Sequence, residues 1–441
     1  MWTYHADLLA RPVPRYTSFP TAAEFTEHVG AEDYAVALDG IAPGTSISLY
    51  LHVPFCERIC WYCGCNTART NRRERLGSYL TALRAEIALV AERLAHKQLQ
   101  VRRISFGGGS PNALDPLAFD QLLKCVKGAF RAKAAEVSVE LDPRSHSREW
   151  RQVLADGGIR LASLGVQTFS PRLQQAIGRV QDTTLIKKCV ADLRAAGVGS
   201  LNFDLMYGLP GQTEADLLET LEQARAFLPD RIALFGYAHV PHLLPRQRQI
   251  DGTDLPDARA RFVMARLGHE YLTGRGYRAV GFDHFARPAD SLAEAARWGR
   301  VRRNFQGFTN DPSDILLGLG ASAISQFPGL IVQNEENTGR YRMRVSSGRL
   351  ASDRGVKRTE SYQQRAAVIE GLLCRGVGDL SGLSLTLQEM SALERFERRG
   401  LLTLEDGFVR ILPEGGPYSR VIAAVFDPFR NQPRGRFSNA I

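Results

Sequence analysis

The chain reads as an α/β protein built on a partial, TIM-like barrel of six strand–helix units. Three observations predict this. Short β-rich runs recur six times, segments with helical periodicity separate them, and six units fall short of the eight that close a barrel. The runs are Ser46 to Val53, Val101 to Phe106, Glu136 to Leu141, Leu161 to Val166, Leu201 to Met206 and Arg231 to Tyr237. The first helix is the clearest, because Leu76, Leu80, Leu83, Ile87, Val90 and Leu94 step by three or four and share one face. Leu117 to Phe130, Leu185 to Ala196 and Ala215 to Phe227 repeat the pattern. A parallel sheet covered by helices follows, with chemistry expected at the carboxyl ends of its strands.

After Tyr237 the alternation weakens. Asp257 to Arg275 reads as a helix, Tyr277 to Phe282 as a further strand and Ser291 to Trp298 as a short helix. From Thr359 the pattern is helical again. The expected organisation is an N-terminal segment over 1–35, the barrel domain over 36–345 and a mainly helical C-terminal domain over 346–441. Arg340 to Arg358 is the densest basic stretch, and it reads as a solvated loop at the boundary.

Composition narrows the function classes. The 441 residues are 44% apolar and 23% charged, which excludes bulk disorder and fibrous architectures. No apolar run approaches the ~18 residues of a spanning helix. Met1 to Arg11 lacks the basic start and apolar stretch of a secretory signal, so the expected compartment is the cytoplasm. Lys and Arg total 56 against 47 acidic residues, a net +9 that favours an anionic partner. A polycarboxylate, a phosphate compound and a nucleic acid all satisfy it, but no nucleic-acid recognition motif is present.

Four of the seven cysteines fall close together: Cys56, Cys60, Cys63 and Cys65. They follow the first strand, on the loop at its carboxyl end. Cys125, Cys189 and Cys374 lie singly among apolar residues and read as small core hydrophobes. A structural zinc site wants four ligands, usually as two separated pairs, and no second pair follows at that spacing. Iron–sulfur clusters also take thiolates, and three thiolates on a four-iron cluster leave one iron open to a small molecule. A zinc knuckle or reactive thiols remain the alternatives.

Polar residues mark the ends of the later strands. Gly107-Gly108-Gly109-Ser110-Pro111 follows the second strand, as a tight turn or as backbone that lets a ligand approach. Glu140 ends the third strand, Gln167 the fourth and Asp204 the fifth, a ring suited to ribose hydroxyls and an ammonium group. Arg179 offers a planar fork for a carboxylate.

The Cys56-x3-Cys60-x2-Cys63 spacing in this place resembles the radical S-adenosyl-L-methionine superfamily. The whole chain further resembles oxygen-independent coproporphyrinogen III oxidase, or coproporphyrinogen dehydrogenase. The residues carrying this are Pro14-Arg15-Tyr16-Thr17-Ser18-Phe19-Pro20-Thr21-Ala22, Cys63-Gly64-Cys65-Asn66, Gly165-Val166-Gln167 and Phe203-Asp204-Leu205-Met206-Tyr207-Gly208-Leu209-Pro210. Tyr237-Ala238-His239, Asp283-His284-Phe285-Ala286-Arg287-Pro288, Asn304-Phe305-Gln306-Gly307-Phe308 and Gly320-Ala321-Ser322-Ala323-Ile324-Ser325 continue it in family order. Arg436-Phe437-Ser438 resembles the family's closing motif. Departures are Ser110 where Thr is usual, Phe19 and Phe308 where Tyr is usual, and Gly178 and Val180 beside Arg179.

The resemblance implies a radical S-adenosylmethionine oxidoreductase of haem and porphyrin biosynthesis that decarboxylates two propionates of coproporphyrinogen III to vinyl groups. It implies a 4Fe–4S cluster on Cys56, Cys60 and Cys63, and two S-adenosyl-L-methionine molecules. Tyr50, Gly108, Glu140 and Ile324 match positions that hold the cluster-bound one. Tyr62, Gly109, Ser110, Gln167, Arg179, Asp204 and Ala238 match positions that hold the second. Cys65 and Tyr50 fall in the catalytic group, Cys65 without ligating iron. Arg15, Arg287 and Arg303 are candidate partners of the substrate carboxylates, near which the N-terminal segment would close. A one-electron reductant and an unidentified electron acceptor are implied partners, and a monomer is expected. A haem-binding chaperone of the same branch is the main alternative. It generally lacks a cysteine two positions after the third ligand and the Arg-Tyr-Thr-Ser segment. A radical methyltransferase and a nucleic-acid-binding protein with a structural metal are the others.

Overall fold

The computed structural model describes residues 2–10, 12–69 and 73–431. The six expected strands form at Ser46–Val53 (β1), Gln100–Gly108 (β2), Glu136–Leu141 (β3), Ile159–Gln167 (β4), Ser200–Tyr207 (β5) and Arg231–Gly236 (β6). They are parallel neighbours in sequence order. β3 alternates along its whole length and β5 over Ser200–Leu205, as a sheet with unlike faces requires. On β5, Leu201, Phe203 and Leu205 are fully buried towards the covering helices. Asn202 and Asp204, one position out of phase, line the barrel lumen with Ser105, Ser138 and Ser163. The inner face is therefore polar.

The covering helices carry start signals in the sequence. Asp115 caps Pro116–Ala129 through the Leu117 and Ala118 amides, with proline at the first helical position. Asp182 caps Thr183–Ala195, and Thr213 with Asp216 forms a capping box at Glu214–Ala226. The helix read from Leu76 to Leu94 forms as Arg73–Leu94. Helices Arg148–Asp156 and Pro171–Ala176 were not expected.

The sheet extends beyond the six units on both sides. His284–Ala286 pairs antiparallel with β6, and Arg278–Val280 pairs antiparallel with His284–Ala286 at the sheet edge. On the far side, Ile315–Leu319 pairs parallel with β1, then Ile324–Phe327, Leu330–Asn334 and Ser352–Lys357 continue antiparallel, giving twelve strands. The basic stretch is consequently not a solvated loop. It comprises the helix Thr338–Ser346 and the strand Ser352–Lys357, and three of its arginines are ion-paired. Arg340 Nε meets Glu335 at 2.8 Å, while Arg344 meets Asp353 and Arg354 meets Glu336. Since Ser352–Lys357 is bonded into the main sheet, the sheet runs past 346, the expected start of the third domain.

Beyond it, Glu360–Arg375, Leu387–Glu397 and Ser419–Ala423 form the helical part of the C-terminal region, with a small antiparallel sheet of Val377–Asp379, Phe408–Ile411 and Leu402–Glu405. The N-terminal segment is tied to this region. Tyr16 donates to Asp427 at 3.0 Å, and Phe19 packs on Tyr362 and Phe429. The closing motif at 436–438 lies outside the described residues.

Candidate active site at the carboxyl ends of the strands

The cysteine loop leaves β1 at Val53 and crosses the carboxyl ends of β2 to β5. Cys56, Cys60, Cys63 and Cys65 line one cavity with Tyr62, Gly108, Gly109, Ser110, Glu140, Gln167, Arg179 and Asp204. Twelve of the residues singled out in the sequence thus share one space, all but Tyr62 and Arg179 set by the loop's sulfurs or by a strand end. Tyr50 and Ile324 stand beside it in the sheet. Tyr50 is in register with Gly318, and a side chain on Gly318 would collide with the Ile324 backbone. Ala238 sits beyond β6, where its carbonyl accepts from Gln247 at 3.0 Å.

The glycine run is required by packing. A Cβ at Gly107 would lie 2.6 Å from Glu140 Oε1, and Gly108 has φ +105 with the His52 ring where its side chain would be. Gly108 N–H donates to Glu140 Oε2 at 3.2 Å. Ser110 N–H donates to the Phe55 carbonyl at 2.7 Å, and its hydroxyl to Asn112 at 2.6 Å. The run is at once a tight turn and the backbone wall of the cavity.

Two carboxyls in the cavity have their protonated forms favoured. Burial pushes Glu140 up to about 7, with the charge of Asp204 adding and the Gly108 amide opposing. Burial also raises Asp204, against donors Ser163 at 3.0 Å and Asn202 at 2.8 Å. Burial lowers His52 to about 4, so it is neutral beside Tyr50, whose hydroxyl is 3.1 Å from Nδ1. Gln167 is 8% exposed with φ +68, at a register shift in the β4–β5 ladder. A non-glycine residue in that conformation is strained, and such strain gathers at functional sites.

Arg179 is the most constrained side chain here. It donates to Cys60 Sγ at 3.2 Å, to both oxygens of Asp142 at 3.2 Å, and to the Gly165 carbonyl. Arg144 also donates to Cys60 Sγ at 3.2 Å and to Asp142 Oδ2 at 2.7 Å. Burial works to raise the Asp142 carboxyl, but Arg179 and Arg144 outweigh it and hold it at about 2. The sequence reading missed Asp142, Arg144 and Asn112. Only the position of Asp142, one residue beyond Leu141 at the end of β3, signalled it.

The sulfurs suit a polynuclear iron site. Cys63 is lowered to about 6, first by a hydrogen bond with Cys65 and further by the charges of Arg246 and Arg179. Burial raises Cys56 to about 12, with the Cys63 charge adding. A bound cation reverses that second effect, because the thiolate is the ligating form. Among the described residues no three such side chains converge on a single ion. The sulfurs lining the cavity are the donor type that iron–sulfur clusters take.

The departures and the substrate-side arginines have structural reasons. A side chain on Gly178 (φ +63) would lie 2.7 Å from the Trp61 ring, so glycine is needed there. Val180 is 57% exposed. Phe308 stacks under Arg303, whose Cζ is 4.3 Å from the ring centroid. Arg303 also donates to the Tyr16 and Arg15 carbonyls at 3.1 Å. Arg15 donates to the Gly236 carbonyl at 2.8 Å, at the carboxyl end of β6. Arg287 is not brought to the site. It is exposed, and Ala286 before it pairs with Arg231, at the amino end of β6.

With this geometry in hand, the chain can be compared with known proteins. Residues 50–224 match the radical SAM superfamily. The chain is 40% identical over 438 residues to an oxygen-independent coproporphyrinogen III oxidase of Bradyrhizobium diazoefficiens, covering 97% of each. It is 34% identical over 429 residues to one from Escherichia coli, covering 95% of this chain and 93% of the relative. A solved structure of the Escherichia coli coproporphyrinogen III oxidase, described as a radical SAM enzyme, superposes with a TM-score of 0.89 at 33% identity. It covers 95% of this chain and 100% of that one. Together the cysteine loop, the partial barrel and these full-length likenesses establish that the chain belongs to the oxygen-independent coproporphyrinogen III oxidase family of the radical SAM superfamily.

Proposed function

We propose that this protein oxidatively decarboxylates two propionate side chains of coproporphyrinogen III to vinyl groups without oxygen, giving protoporphyrinogen IX for haem and porphyrin biosynthesis. The observation that carries it is the cavity shared by Cys56, Cys60 and Cys63 with Glu140, Gln167, Arg179 and Asp204, in a chain aligned end to end with relatives of that name. When bound, a 4Fe–4S cluster and S-adenosylmethionine supply the radical that takes a hydrogen from the propionate carbon next to the pyrrole.

The protein's own part is holding and positioning. Cys56, Cys60 and Cys63 would hold the cluster by three irons, with Cys65 nearby and not ligating. Tyr50, Gly108, Glu140 and Ile324 would surround the first S-adenosylmethionine. Tyr62, Gly109, Ser110, Gln167, Arg179, Asp204 and Ala238 would surround a second. Arg15 and Arg303 would face the substrate, under the closing N-terminal segment. Loss of CO2 and one electron then leaves the double bond, so an external one-electron acceptor is needed, as is a reductant for the cluster. The enzyme would work as a cytoplasmic monomer; among the described residues no helix is long and apolar enough to cross a membrane.

The test is stoichiometric. Reconstituted, reduced protein should release 5′-deoxyadenosine and CO2 in equal amounts, and only when coproporphyrinogen III is present. Deoxyadenosine without CO2 removes the decarboxylation reading.

A further inference from the structure

Arginine side chains from four separate parts of the chain gather above the carboxyl ends of β5 and β6. Arg15 belongs to the N-terminal segment and is bonded to the end of β6. Arg261 comes from the helix Ala258–Gly274 and lies over Gly208 and Gly236, the residues at those strand ends. Arg420 belongs to the C-terminal helix Ser419–Ala423, with Cζ 5.4 Å from the Phe282 ring centroid. Arg303 stands 4.9 Å from the same ring; it is 9% exposed, and its Nη1 is buried without a hydrogen-bond partner.

Arg15, Arg261 and Arg420 line one cavity with Tyr207, Phe282 and Asp283. Asp283 is the only acidic side chain on its wall among the described residues, and it is already hydrogen-bonded to His284 Nδ1 at 2.6 Å. Burial first, and then the charge of Arg15, push Arg420 down to about 10. Burial lowers Arg261 and Arg303 as well, with Arg15 again adding to it. Bringing the like charges of Arg15 and Arg420 together beside Asp283, a carboxylate already bonded to His284, is unfavourable in a buried space. An anion in the cavity removes that penalty, and a guanidinium fork matches a carboxylate in two parallel hydrogen bonds.

We propose that this cavity is a carboxylate site in which Arg15, Arg261 and Arg420 grip one propionate of the tetrapyrrole, anchoring it at the β5–β6 end of the mouth while another propionate reaches the cysteine cavity. The inference rests on the substrate reading above and adds to it a specific anchor built from Arg261 and Arg420.

The test uses reconstituted holoenzyme and fluorescent coproporphyrin III as the binding probe, together with turnover of coproporphyrinogen III. Arg420→Met should weaken coproporphyrin III binding roughly tenfold or more and raise KM similarly, with kcat and the cluster's visible absorption held. Arg420→Lys should recover part of the affinity. Independently of any variant, the tetramethyl ester of coproporphyrin III should bind the wild type no more tightly than the free acid binds Arg420→Met. Wild-type Kd and KM in Arg420→Met overturn the anchor, as does an ester that binds the wild type as well as the acid. The two readings fail separately. A wild type that makes vinyl product while Arg420→Met keeps its KM removes the anchor alone. Arg420-dependent binding without any product removes the reaction alone.

Discussion

Arg179 donates from Nη1 to Cys60 Sγ at 3.2 Å while both of its terminal nitrogens face Asp142. The guanidinium expected to clamp a ligand carboxylate is thus already held by a protein carboxylate, against a candidate iron ligand. Asp142 is 8% exposed and is shared with Arg144, so it fixes two buried positive charges beside one sulfur.

Removing that carboxylate should be costly. Asp142→Ala leaves both guanidiniums without their counter-charge, and breaking a buried pair this way costs about 3–5 kcal/mol. Chemical denaturation of the apoprotein checks it. A loss under about 1 kcal/mol would mean that the pair is solvated in solution.

The sulfurs should separate by role. Cys60→Ala is expected to abolish the broad visible absorption of the reconstituted cluster, as Cys56→Ala and Cys63→Ala also should. Cys65→Ala should retain the absorption and lose turnover. A cluster that survives Cys60→Ala, or that vanishes only with Cys65→Ala, contradicts the assignment of ligands.

Gly108→Ala combines a positive φ with a collision against the His52 ring. Strain of this kind costs on the order of 1–3 kcal/mol. The variant should melt lower and bind S-adenosylmethionine more weakly in equilibrium dialysis. Unchanged melting and binding would show that the loop relaxes freely.

Glu86 gives a pH prediction far from the redox chemistry. It is 1% exposed and accepts from Gly320 N–H, Asn334 and Tyr341, joining the helix Arg73–Leu94 to the strands beyond Ile315–Leu319. Burial raises it from 4.5 to about 7, the three donors opposing. A raised acid binds more protons folded than unfolded, so its contribution is complete below about 4.5 and lost as pH climbs through about 7. The loss amounts to about 3 kcal/mol. Urea denaturation at pH 5 and pH 8 should show wild-type stability falling relative to Glu86→Gln by that order. A constant difference between the two proteins contradicts it.

Sequence patterns displayed what is local and hid what is not. β1 to β6 were legible because each has an apolar face for the helices, and Glu136–Leu141 forms with the expected limits. The Cys56, Cys60 and Cys63 loop was legible because a spacing and a preceding strand suffice to place it. Asp142 and Arg144 were not, since their role depends on Arg179 returning from beyond β4. Arg287 misled for a related reason. A matched motif fixes order along the chain, but the antiparallel turn after Val280 decides which end of β6 the residue reaches. Arg340 to Arg358 looked like a charge run, yet its acidic partners Glu335 and Glu336 stand just outside the stretch. Ile315–Leu319 escaped because its pairing with β1 spans most of the chain.

The most direct test of the account is anaerobic conversion of coproporphyrinogen III by the reconstituted protein with S-adenosylmethionine, a reductant and an electron acceptor, read by chromatography of the oxidised porphyrins. The account predicts protoporphyrin IX, formed through a three-propionate intermediate and absent when Cys56, Cys60 or Cys63 is replaced. An intact cluster, unchanged coproporphyrin and tightly bound haem would contradict it.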